Sequence, residues 1–171
     1  ATDQQARFRA REYTSVTFRP QLEVDWITVQ PTPTPTPSGV PQSGTFSATA
    51  DAALDSVHPS LNNGAGTTLS LDATMDGIVR FDLSSIPTVG STIASAILTM
   101  TVTAVGKVDD QKLYSAARVL TDWLENTVTW NTPGSVAGVN FASTATATII
   151  ITGTGSYTWD VTDDVIAYIN G

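Results

Sequence analysis

The sequence contains no cysteine. Disulfide staples, thiolate zinc sites and a cysteine nucleophile are therefore excluded. Histidine occurs once, as His58. A multi-histidine metal centre cannot be built from one imidazole. Only eight residues are Lys or Arg, against sixteen Asp or Glu, and the net charge is -8. Phosphate backbones are bound by clustered bases, so no nucleic-acid partner is expected. Charged residues make up just 14% of the 171 residues. No apolar run approaches the length that spans a bilayer, so no membrane span is expected.

What is abundant is Thr and Ser, together about a quarter of the chain. That composition leans toward β structure and surfaces facing an external medium. An extracellular or cell-surface location is the expectation. Residues 30–42 read QPTPTPTPSGVPQ. Alternating Pro and Thr disfavour a regular ladder and favour polyproline II, a semi-rigid spacer. Residues 30–43 are accordingly read as a Pro/Thr linker.

After the linker, residues 44–171 alternate apolar and polar side chains in short runs. Phe46, Ala48 and Ala50 form one run, Val79, Phe81 and Leu83 a second. Leu98, Met100, Val102 and Ala104 form a third, Ala145, Ala147 and Ile149 a fourth, and Tyr157, Trp159 and Val161 a fifth. Period two with one polar face marks antiparallel strands half exposed to water. The expected fold class is all-β, an antiparallel two-sheet, jelly-roll-like β-sandwich. One short C-terminal helix is expected, with Thr162 as N-cap, Asp163 and Asp164 in the first turn and Gly171 as C-cap.

Before the linker, residues 1–29 read as two strands. Ala6, Phe8 and Ala10 alternate with Arg7, Arg9 and Arg11, and Leu22, Val24 and Trp26 alternate with Glu23 and Asp25. Two strands alone are not stable in water. Their apolar faces require a larger sheet.

Several blocks carry a family resemblance. They are Ala50-Asp51-Ala52 with Asp55 and Asn62-Asn63-Gly64, then Arg80 to Pro87 with Ile93 to Leu98. Trp123, Glu125, Thr127 to Asn131 and Pro133 follow, then Trp159 to Gly171. In this order they resemble the DNRLRE-type β-sandwich family, which overlaps a carbohydrate-binding module family attached to polysaccharide-degrading enzymes. In that family two closing strands follow the helix. Here Phe8 to Glu12 and Arg19 to Val24 resemble those strands, at the opposite end of the chain. The resemblance thus implies a circular permutation.

Three arrangements follow: closure onto the same sandwich, completion of a neighbouring subunit, or one period of a tandem array. The latter two predict a head-to-tail series of sandwiches. On this reading the chain is a non-catalytic structural subunit or repeat of an extracellular filament, its partners copies of itself. The alternatives are a carbohydrate-binding module of a secreted polysaccharide-active protein, with polysaccharide as partner, or an adhesin stalk repeat. The expected subunit-interface residues are Phe8, Arg9, Arg11, Glu12, Leu22, Val24, Trp26 and Arg80, with Arg80 paired to Glu12. The four Trp residues are expected in the core. No catalytic residue and no cofactor are expected. Calcium is the one metal the acids could hold, with Asp51 and Asp55 as ligands among candidates that include Asp109 and Asp110.

Overall fold

The computed structural model describes residues 5–29, 39–106, 113–132 and 140–171. Most of the Pro-Thr run, together with Asp109, Asp110 and Pro133, lies outside the described residues. The elements are β1 (Ala6–Arg9), a 3-10 turn (Val16–Phe18), β2 (Gln21–Val29), β3 (Gly39–Asp55), β4 (Thr68–Leu71) and β5 (Met75–Phe81). They continue as β6 (Ser91–Val105), β7 (Leu113–Ala116), β8 (Ala147–Ile150), β9 (Gly155–Asp160) and α1 (Thr162–Asn170).

All strand pairs are antiparallel. The main sheet runs β4-β1-β6-β2-β3-β5, with β9 also paired to β6. β4 and β5 are successive in the chain, and Asp72 N donates to Met75 O at 3.1 Å in the turn between them. The sheet therefore curls until its two ends meet, which removes most of its exposed edge. β7 and β8 form a separate two-stranded sheet.

Of the three placements expected for the N-terminal segment, the single chain shows residues 5–29 paired with the sandwich to which they are attached. β1 lies between β4 and β6, and β2 lies between β6 and β3. The reason is visible in the side chains. Ala6, Phe8 and Ala10 are fully buried, as are Leu22 and Val24 to within 3%. Phe8 packs edge-on against Tyr114 and tilted against Trp159, with ring centres 6.1 and 6.2 Å away. Burying that ring alone contributes about 2–3 kcal/mol.

Three local expectations are corrected. β3 begins at Gly39, inside the stretch read as linker, because residues 39–47 pair with the full length of β2. On β5 the buried residue is Ile78, while Val79 and Phe81 are only partly buried. A second layer covers the outer face there: Ala52, Leu54 and Ile78 pack with Trp123 and Val128 in a cluster separate from the main core. A strand covered on both faces loses the plain alternation. Finally, Thr162 is the first helical residue and not the cap. Its hydroxyl accepts from Ala96 N and donates to Asp160 Oδ1, and Asp160 also accepts from Thr162 N. Gly171 does terminate the helix, at a φ of 85°.

Candidate functional site

Two polar places stand out, both organised around the stretch 118–125. The first is a charged clasp at the end of β1. Arg11 N donates to Asp51 Oδ2 at 2.5 Å. The Arg11 guanidinium forks onto Glu125, with Nε to Oε1 at 2.8 Å and Nη2 to Oε2. Glu125 Oε1 also accepts from Asp51 N at 2.9 Å. Glu12 Oε1 lies 2.7 Å from Arg11 Nη2, in ion contact, while both Glu12 oxygens are shut off from solvent without a hydrogen bond.

The clasp exists because the turn 62–64 brings Glu125 inward. Asn62 Nδ2 donates to Glu125 O at 2.8 Å and Val128 O at 2.7 Å. Gly64 is required by contact: a Cβ there would lie 2.1 Å from Glu125 O. Burial pushes the Asp51 carboxyl up to about 7, helped by Glu12 and Glu125 and opposed by the Arg11 N–H. Hydrogen bonding to Glu125 raises Arg11 further.

Glu12, Asp51 and Glu125 present oxygens within 4.8 Å of one another. Such a set could face a hard cation. Here the Arg11 guanidinium supplies the positive charge among them, and its fork engages both Glu125 oxygens. Asp55, the other calcium candidate, is elsewhere. It accepts from Val57 N and His58 N and pairs with His58 Nδ1 at 2.9 Å, and these bonds hold its carboxyl below the usual range, the His58 ring first among them.

The second place is an open groove of about 640 Å³ between β5, residues 116–123 and α1. Arg80, Arg118, Asp122, Asp164 and Tyr168 line it. α1 turns Val165 and Ile169 into the core and leaves Tyr168 62% exposed. Asp164 stands one turn before Tyr168 on the same face. Arg80 Nη2 donates to Asp122 Oδ1 and to Trp123 O, both at 2.5 Å. Its guanidinium carbon sits 4.9 Å from the centre of the Trp123 ring. A second cavity, about 440 Å³, lies beside β4, β5 and β7.

The sequence-derived residues therefore separate. Arg11, Glu12 and Asp51 come together. Phe8, Leu22, Val24 and Trp26 are core. Arg9 stacks on Tyr13, 3.7 Å from the ring centre. Arg80 is not paired with Glu12; its partner is Asp122. Trp123 and Trp159 are buried and Trp130 is partly buried, as core packing requires. Sequence reasoning missed Asp122, Arg118 and Tyr168. The Asp164–Tyr168 spacing on the helix was the available signal for the last of these.

Residues 42–171 match the model of carbohydrate-binding module family 96. The match covers 130 of the 171 residues, and the chain belongs to this family. It begins inside β3 and so leaves out β1 and β2. Comparison with curated proteins and with solved structures returned no match.

Proposed function

We propose that this chain is a non-catalytic carbohydrate-binding module, placed outside the cell or on its surface, that takes a polysaccharide strand in the groove between residues 116–123 and α1. The family is one of binding modules, and the groove's exposed Tyr168 is the observation that carries the choice of site. An exposed phenol ring offers an apolar platform to the C–H face of a pyranose. Arg118, Asp122 and Asp164 ring that platform with donors and acceptors for sugar hydroxyls. An open groove with few fixed polar groups suits an extended chain, where affinity accrues over several sugar units.

The charged clasp does not serve this function directly. Its groups are engaged with one another, and none of them lines the groove. Its part is to fix Glu125, and with it the neighbouring residues 118–123 that form one wall.

Affinity electrophoresis of the full chain through gels containing neutral and acidic polysaccharides tests the reading. Retardation by at least one polysaccharide is expected. Tyr168→Ala should weaken it by about tenfold, the equivalent of 1.4 kcal/mol, with the melting temperature unchanged. Migration unaffected by every polysaccharide, or retardation that Tyr168→Ala leaves intact, overturns it.

A further inference from the structure

The two strands at the heart of the main sheet arrive from the end of the chain that the family match leaves out. Their link to residues 39–171 is the connector 30–38. Val29 and Gly39, at its two ends, are cross-strand partners. Such partners sit about 5 Å apart, and hairpin connections usually take two to five residues. This connector has nine, with Pro at 31, 33, 35 and 37. Its sequence favours polyproline II, which would extend it to about 28 Å at 3.1 Å per residue. Returning over 5 Å works against that preference.

We propose that residues 5–29 are exchanged between copies of this chain, β1 and β2 of one copy entering the sandwich of the next. The occupant is a second copy because the cleft is already complementary to this segment in every contact. The ladders to β4, β6 and β3, the burial of Phe8 and the fork of Arg11 on Glu125 are the same whether segment and sandwich share a chain or not. Only the connector distinguishes the two states. The balance is then set by protein concentration against the effective concentration of the tethered segment. A short flexible tether gives an effective concentration of roughly millimolar, and one that resists the required span gives less. Exchange through a terminal segment is a low-cost route to association.

The test uses the full chain, unfolded in denaturant and refolded over a concentration series, with light scattering after size exclusion. Oligomers are expected to rise with concentration, with a midpoint below about 1 mM. Replacing Pro31, Pro33, Pro35 and Pro37 with Gly and Ser relaxes the connector and should raise that midpoint about tenfold. These four positions lie outside every named strand of the sandwich. Monomer at every concentration overturns the proposal, and so does an oligomer whose midpoint ignores the connector. A charge exchange adds an independent reading. Arg11→Glu and Glu125→Arg each set like charges in the clasp, within one chain or between identical chains. Mixed together, each segment meets an opposite charge only in the other variant's sandwich. A joint species absent from either variant alone supports exchange; two folded variants that stay separate on refolding together overturn it.

Discussion

Two arginines grip the same stretch of chain in different surroundings. Arg11 comes from the N-terminal segment and forks onto Glu125, beside a buried Asp51. Arg80 comes from β5 and holds Asp122 and the Trp123 carbonyl three residues upstream. Asp122 is 88% exposed, whereas the Glu125 side chain is 23% exposed. The chemistry is the same and the setting decides its worth. A charge pair in water gains little over solvation, while removing one partner from a buried set strands the other. The Arg11 grip also joins the N-terminal segment to the block 119–130, which β1 and β2 do not otherwise pair with. The Arg80 grip shapes a groove wall.

The largest effect sharpens the contrast by testing what lies beneath the Arg11 grip. Phe8 is fully buried between Tyr114 and Trp159. Phe8→Ala should cost about 3–5 kcal/mol, read as a lowered denaturant midpoint. A loss under 1 kcal/mol would mean that the N-terminal segment adds little to the core. Next comes Arg11→Ala. It leaves Glu12, Asp51 and Glu125 facing one another without their cation. Because the Arg11 side chain is a third exposed, the full buried-pair penalty is discounted to about 2 kcal/mol.

A pH series then separates the clasp from an ordinary surface pair. The Asp51 carboxyl titrates near 7 when folded and near 3.8 when unfolded. Its folded value is raised, so its stabilising contribution is complete below about pH 4 and is lost as pH rises to 7. Asp51→Asn keeps an acceptor for Arg11 N and removes the titration. Relative to the original chain, the variant should gain more than about 1 kcal/mol between pH 4 and pH 8, a shift of one pKa unit being worth 1.4 kcal/mol. Parallel stability curves would show that Asp51 does not carry its proton into the neutral range.

Much of the fold was legible from period-two alternation. Ala6, Phe8 and Ala10, and then Leu22, Val24 and Trp26, point inward as their spacing predicts. Alternation says which face is buried but not what buries it, so the place of β1 and β2 beside β6 had to be read from the strand pairing. Ile78 escaped because its strand is covered on both faces. The clasp escaped because its members are 40 and 114 residues apart from Arg11. Charge pairing at that distance has no local period. The Arg80–Glu12 pairing is not formed within the chain: Glu12 contacts the adjacent Arg11, and Arg80 holds Asp122 and the Trp123 carbonyl. Tyr168 is one more residue of a short helix until α1 is seen to turn it outward.

The smallest expected effect completes the comparison. Asp122→Ala removes the exposed partner of Arg80 but not its other anchors, since Nη2 still donates to Trp123 O and the guanidinium still lies over the Trp123 ring. Stability should change by less than about 0.5 kcal/mol in a denaturant titration, because an exposed ion pair repays little beyond its lost hydration. If the proposed function holds, polysaccharide retardation should nevertheless fall, since Asp122 and Tyr168 line the same groove. A stability loss matching that of Arg11→Ala would show that exposure does not separate the two grips. An unchanged retardation would move the sugar contacts along the groove toward Arg118 and Asp164.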